Sequence, residues 1–155
     1  MICIRKAQDE EAAALTALCL RSKAHWGYDA AFMAACREEL TIRPQDVLDG
    51  VFAVAEEAPG DLLGVAQIAA AGDPCDLMLL YVEPAAMGRG VGRALFDWAV
   101  GEARRRGIRR MRIEADPHAE AFYRRMGAVR VGEAPSGSIA GRFLPLLELA
   151  LDAGP

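Results

Sequence analysis

Residues 81 to 99 read YVEPAAMGRGVGRALFDWA, and the glycines at every second position, Gly88, Gly90 and Gly92, constrain this chain more than any other feature. Glycine costs about 0.5–1 kcal/mol relative to alanine inside regular structure. Here it follows an apolar run, CDLMLLYVE (75–83), and leads into a helical pattern from Gly90 to Arg106 in which Val91, Leu95, Trp98 and Ala99 share a face. The run lacks alternation and predicts a central strand covered on both faces. A strand, a glycine loop and a helix in succession build a site for an anion. The first amides of a helix have no partner within it. Their end of the macrodipole stabilises an anion by about 0.3–1 kcal/mol, and by up to about 2 kcal/mol where sheltered. Removing side chains lets a diphosphate reach the backbone itself.

The other elements follow from periodicity. ICIRKA (2–7) alternates like a half-buried strand, and Asp9 is placed to cap the helix after it. That helix carries Ala13, Leu15, Leu18, Cys19 and Leu20 as its stripe and runs to about Lys23. HWGYD (25–29) interrupts it, and a second helix from about Ala30 to Leu40 presents Phe32, Met33, Cys36 and Leu40. QDVLDG gives a short helical turn after Pro44. VFAVAEE (51–57) and LLGVAQIAAA (62–71) flank the turn signal APGD as a hairpin. RRMRIEA (109–115) is a strand, and Asp116 with Pro117 opens a helix that closes at Gly127. AVRVGE (128–133) and FLPLLELAL (143–151) are the last strands, joined by the loop APSGSIAGR. The order β-α-α-β-β-β-α-β-α-β-β predicts a mixed α/β fold, one sheet with flanking helices.

A length of 155 residues, 53% hydrophobic and 26% charged, predicts a single globular domain over 1–155. A net charge of −4 argues against a general nucleic-acid binder. No apolar run reaches the roughly 20 residues that span a bilayer. The N-terminus MICIRKAQDEE turns acidic too soon for a signal peptide, so a cytoplasmic protein without membrane partners is expected. Cys3, Cys19, Cys36 and Cys75 stand too far apart for a CxxC site and read as buried, reduced thiols. His25 and His118 have no partner at i+4 spacing, so no metal is expected.

Two known phosphate loops, and a plain glycine-rich turn with no ligand, compete as readings of the glycine stretch. A Walker A loop needs G-x-x-x-x-G-K-[ST], which the chain lacks. A dinucleotide loop needs G-x-G-x-x-G, but the third glycine comes one residue early and Arg93 holds its place. Glu114 or Asp116, about 20 residues on, imitates the ribose acid of that fingerprint. The loop nevertheless begins past the middle of the chain and leaves no room for a second nucleotide-binding half.

The stretch YVEPAAMGRGVGRAL resembles the acyl-CoA signature of the GCN5-related N-acetyltransferases, [QR]-x-x-G-x-[GA] after a strand ending near V-x-P. The stretch IEADPHAEAFYRRMGAVRVG resembles that family's second signature, a strand ending in Asn and then a helix with FYxxxGF. The β/α order is similar across almost the whole chain. Three positions depart from the pattern: Met87 replaces Gln or Arg, Asp116 replaces Asn, and Ala128 replaces Phe. Losing an arginine contact to phosphate forfeits about 1.5–3 kcal/mol, which Arg89 and Arg93 beside the loop can offset.

The resemblance implies acetyl-CoA in a gap between the 75–83 and 109–115 strands. Backbone groups near Tyr81 and Val82 would pair with the pantetheine arm. Met87, Gly88, Arg89, Gly90, Val91, Gly92 and Arg93 would hold the pyrophosphate, with Asp116 capping its helix or facing the arm. It also implies direct attack by a primary amine of a small molecule or peptide. Tyr123 then matches the family's acid for the sulfur. Glu114 is a candidate base because it shares a strand face with Asp116. Candidate amine-pocket residues are His25, Trp26 and Tyr28 at the helix break, and Ser138 or Arg142 in the later loop. A non-catalytic acyl-CoA sensor on the same scaffold is the alternative. FLPLLELAL either completes the sheet or pairs across a homodimer.

Overall fold

The computed structural model describes residues 1–151; residues 152–155 of the expected 1–155 span lie outside it. Its elements in chain order are β1 (Cys3–Lys6), α1 (Ala12–Ala24), α2 (Ala30–Leu40), α3 (Pro44–Asp49), β2 (Val51–Glu56), β3 (Leu62–Ala69), β4 (Cys75–Val82), α4 (Val91–Arg105), β5 (Arg110–Glu114), α5 (Glu120–Arg125), β6 (Val129–Pro135) and β7 (Phe143–Ala150). The strands form one sheet in the order β1-β2-β3-β4-β5-β7-β6. All neighbours are antiparallel except β4 and β5, the pair joined by the α4 crossover. β7 lies between β5 and β6, so FLPLLELAL completes this chain's own sheet. Among the described residues no helix is long and apolar enough to cross a membrane.

Helices cover both faces. Val91, Leu95, Phe96, Ala99 and Ala103 of α4 are buried against one face, at the spacing a helix needs to present a single stripe. α4 comes close to the sheet at Gly64 of β3, where an added Cβ would stand 2.8 Å from Leu95 Cδ1 and 3.0 Å from Val91 Cγ1. Leu15, Leu18 and Cys19 of α1 join Cys36 and Leu40 of α2, with Val54, Val65 and Leu79 of the sheet, in the core on the other face.

Three expectations need correction. The buried stripe of α1 is Ala12, Leu15, Leu18, Cys19 and Ser22, while Ala13 is exposed, because the helix turns a different edge to the sheet. Asp9 does not cap α1: it begins a 3-10 turn (Asp9–Glu11), and the Glu11 carboxylate reaches back to the Gln8 amide at 2.9 Å. Cys3 is exposed, unlike the other three cysteines, because β1 is an edge strand and turns it outward.

β4 carries the irregularity that shapes the site. Its register against β3 runs Gln67↔Leu79 and then Ile68↔Leu77, so Met78 is an extra, bulged residue. The bulge reverses the alternation. Cys75 and Leu77 pack in the core on the α4 side, whereas Leu79 and Tyr81 pack with α1 and α2. Met78 itself is 53% exposed. β4 pairs with β5 only at Cys75↔Met111 and Asp76↔Arg112, and beyond that the two strands part.

Candidate active site

The glycine loop sits where β4 ends. Gly88 and Gly90 adopt φ of +82° and +84°, a left-handed backbone that favours glycine. Gly92 lies inside the first turn of α4, where an added Cβ would meet Phe122 at 3.5 Å. Two of the alternating glycines are therefore set by conformation, and the third keeps the helix start bare beside α5. Ala94 is the first residue of α4 to donate a main-chain bond, to Gly90 O at 3.1 Å. The six amides from Gly88 to Arg93 make no hydrogen bond with the described residues. Gly88, Arg89, Gly90 and Arg93 are exposed. The Arg89 guanidinium is paired to Glu57 at 2.7 Å, and this hydrogen bond raises the Arg89 pKa.

Two cavities flank the parted strands. One, of about 380 Å³, lies on the α4–α5 side and is lined by Leu77, Leu80, Met87, Gly92, Ile113 and Tyr123 among others. The second, of about 470 Å³, lies under α2 and α3 and reaches Glu39, Asp46, Asp49, Ser136, Ser138 and Arg142. Lys23, Met78, Tyr81, Glu114 and Asp116 line both. The partition between the cavities is thus the bulge of β4 together with the end of β5.

Tyr123 of α5 is 7% exposed and packs its ring against Phe96 and Phe122. Its hydroxyl makes no hydrogen bond, yet no buried side-chain oxygen or nitrogen among the described residues lacks a partner. The hydroxyl therefore keeps its accessible surface, and the smaller cavity is where it opens. Burial, with Asp116 adding to it, pushes the Tyr123 phenol well above the ordinary range. Burial does the same to Tyr81. The Glu114 carboxylate is exposed and makes no ion pair or hydrogen bond among the described residues.

Asp116 is heavily engaged. It caps the 3-10 turn Pro117–Ala119 through the His118 amide at 2.9 Å. It also accepts from Lys23 Nζ at 3.0 Å and from the Tyr28 hydroxyl at 2.9 Å. Burial alone would raise its pKa, but the His118 amide, Lys23 and Tyr28 outweigh that and hold it below the usual carboxylate range.

The remaining candidates divide between the cavities. Trp26 borders the smaller one, stacked on His118 with ring centroids 5.0 Å apart, and Ser138 borders the larger. His25 touches Trp26 edge-on, and neither His25 nor Tyr28 lines either cavity. Met87 faces the smaller cavity and Tyr81 both; Val82 forms its ladder with Gly64 of β3. Lys23 and the carboxylates Glu39, Asp46 and Asp49 were not foreseen. No local pattern marks them: Lys23 is one of two basic residues in the last turn of α1, and the three acids belong to α2 and α3. Among the described residues no group of three His, Cys, Asp or Glu side chains is placed to hold a metal.

A sheet parted beside a helix that begins with bare amides defines the class of acyl-CoA N-acyltransferase folds. The family described as acetyltransferase (GNAT) domain matches residues 48–127, and the chain belongs to the GCN5-related N-acetyltransferases. A GCN5-related N-acetyltransferase from Rhodopseudomonas palustris superposes with a TM-score of 0.77 at 23% identity, over 96% of this chain and 94% of that one. PaiA N-acetyltransferase from Thermoplasma acidophilum, solved with coenzyme A, gives 0.77 at 19% identity over 97% and 99% of the two chains. YncA from Salmonella typhimurium, solved with acetyl-CoA, gives 0.68 at 25% identity over 100% and 96%.

Proposed function

We propose that this chain is a single acetyltransferase domain that moves an acetyl group from acetyl-CoA to a primary amine of a small molecule or peptide, both bound together. The observation that carries this reading is the shared wall: a cavity beside free backbone amides meets a second, acidic cavity across the bulge of β4. The residues present fit the cofactor. The amides of Gly88 to Arg93 suit a pyrophosphate, and the β5-facing edge of β4 beyond Asp76 offers unpaired main chain to an amide-bearing arm. Met87 contributes no charge there, and Arg89 is already shared with Glu57, so the amides and Arg93 bear most of the phosphate binding. When bound, acetyl-CoA supplies an activated thioester carbonyl.

The chain's own residues do the rest. Tyr123, kept protonated by burial, presents a free O–H in the smaller cavity and can give its proton to a leaving thiolate. Glu114 faces both cavities with an unengaged carboxylate and can accept the proton an attacking amine must lose. The larger cavity is lined by five carboxylates, Glu39, Asp46, Asp49, Glu114 and Asp116, against two cations, Lys23 and Arg142. Both cations are engaged by the Asp116–Tyr28 cluster, so the cavity favours an acceptor that arrives positively charged.

Isothermal titration with acetyl-CoA and with NAD, followed by thiol release over a panel of primary amines, tests the proposal. Binding of acetyl-CoA with amine-dependent thiol release supports it. Binding without release for any amine would leave the acyl-CoA sensor as the correct reading, and preference for NAD would overturn both.

A further inference from the structure

Four side chains from four separate places meet beside the shared wall. Lys23 comes from α1, Tyr28 from the α1–α2 turn, Asp116 from the end of β5, and Arg142 from the loop before β7. Tyr28 is the link. Its hydroxyl lies 2.9 and 3.1 Å from the two Asp116 oxygens, and Arg142 Nη2 donates to it at 2.9 Å. Arg142 stands 3.9 Å from Asp116 itself, beyond hydrogen-bond reach, so the phenol is what connects them. Only a group that donates and accepts at once can do this; a carboxylate takes the donated bond and an arginine gives the other.

The Tyr28 ring adds a second hold. It stacks on Phe32 of α2, with centroids 4.0 Å apart and planes 11° from parallel. The Arg142 guanidinium lies over both rings, 5.3 Å from Tyr28 and 4.8 Å from Phe32. Lys23 Nζ approaches the same two rings at 5.5 and 5.8 Å. The charged groups are largely shielded, with side chains 11% exposed for Lys23, 14% for Asp116 and 20% for Arg142. Burial and the Asp116 carboxylate push the Tyr28 phenol up to about 12, so it keeps its proton.

What the link holds is one side of the larger cavity. The segment 136–142 gives that cavity Ser136, Ser138 and Arg142. It turns back on itself through the Ser136 hydroxyl, which accepts from the Ser138 and Ile139 amides. It is pinned to the rest of the protein at Ser138, which bonds Glu39 of α2, and at Arg142, which bonds Tyr28. Resting on the reading that this cavity receives the amine, we propose that Tyr28 is a positioning residue for the acceptor: through Arg142 and Asp116 it fastens the 136–142 segment over the amine cavity while touching neither substrate. The acceptor's Michaelis constant then depends on a residue outside the cavity, and acetyl-CoA binding does not.

The test compares Tyr28→Phe, Arg142→Met and the double variant with the parent protein. The probes are benzylamine, 1,4-diaminobutane and an alanine-initiated tripeptide, at saturating acetyl-CoA. For the best of the three, Tyr28→Phe is expected to raise the amine KM about tenfold and to leave the acetyl-CoA KM within about twofold. The double variant is expected to be no worse than the poorer single one, since both break one link. Hydrogen exchange gives a readout independent of turnover: in Tyr28→Phe the Ser138, Ile139 and Arg142 amides exchange faster while α4 and β4 do not change. An unaltered amine KM, equal losses in both Michaelis constants, or additive effects in the double variant would each overturn the assignment. Should Tyr28→Phe fail to fold, Arg142→Met removes the other half of the same bond and is read by hydrogen exchange at the Ser138 and Ile139 amides, because Arg142 itself lines the amine cavity. If the parent releases no thiol with any probe, the acetyltransferase reading falls and this one with it; if the parent is active and Tyr28→Phe matches it, only the link falls.

Discussion

Lys23 Nζ and Asp116 Oδ2 lie 3.0 Å apart across 93 residues of sequence, and both residues line both cavities. The pair ties α1 to the end of β5 at the point where β4 and β5 have parted. Replacing Asp116 by Asn keeps the shape but leaves a shielded ammonium without its counter-charge. The expected cost is about 1–3 kcal/mol in urea unfolding, below the figure for a fully buried pair because water still reaches both groups. Lys23→Met is expected to cost less, since Asp116 keeps the His118 amide and Tyr28. The pH dependence has a definite sign. The Asp116 carboxyl is held below its usual range, so its contribution is complete above about pH 4 and is lost as pH falls through the depressed folded value. The stability gap between the parent and Asp116→Asn should stay constant from pH 7 to about 4 and close only below that.

The glycines separate by mechanism. Gly90→Ala forces a side chain into φ +84° and is expected to cost about 1–2 kcal/mol, with weaker acetyl-CoA binding. Gly92→Ala finds ordinary contact with Phe122 at 3.5 Å, so its stability should stay within about 0.5 kcal/mol while it narrows the approach to the helix start. Gly64→Ala places a Cβ 2.8 Å from Leu95 and 2.9 Å from the Tyr81 carbonyl, and should destabilise by about 1–3 kcal/mol through overpacking. Thermal unfolding and acetyl-CoA titration of the three variants separate these outcomes.

Most of the architecture was legible because its signals are local. The change from period two to a 3.6-residue pattern around residue 90 and the Gly107 and Gly127 stops fix their elements to within a residue or two, whereas Asp116–Pro117 opens a 3-10 turn and α5 begins only at Glu120. The bare helix start could be read from the glycines alone. The bulge at Met78 could not, because it is a property of the register between β3 and β4, and CDLMLLYVE gives no sign of which residue is extra. The larger cavity was hidden for a related reason: Glu39, Asp46 and Asp49 lie on short helices whose exposed faces look the same whether they line a cavity or meet bulk water. Tyr28 was singled out as an aromatic at a helix break, but its use comes from Asp116 and Arg142, 88 and 114 residues away.

Glu114→Gln tests the proposed base. The carboxylate makes no hydrogen bond or ion pair among the described residues, so unfolding should change by less than about 0.5 kcal/mol. If Glu114 accepts the amine's proton, kcat falls by at least about tenfold, within the range general bases contribute. The loss should shrink as pH rises toward that of the free amine, because a larger fraction of the acceptor then arrives already neutral. A pH–rate profile parallel to that of the parent would remove Glu114 from the mechanism.

Tyr123→Phe removes one oxygen that makes no hydrogen bond among the described residues, so the fold should be affected by no more than about 1 kcal/mol. Turnover is expected to fall at least about tenfold while acetyl-CoA binding by titration survives, the pattern of a group that acts in the reaction rather than in binding. The parent's own profile provides a second check. Burial holds the phenol protonated well above the ordinary value near 10, so kcat should show no falling limb from Tyr123 between pH 7 and about 10. A limb near pH 9 that disappears in Tyr123→Phe would mean that the hydroxyl titrates as if in water, and that the packing of Phe96 and Phe122 on its ring does not shield it.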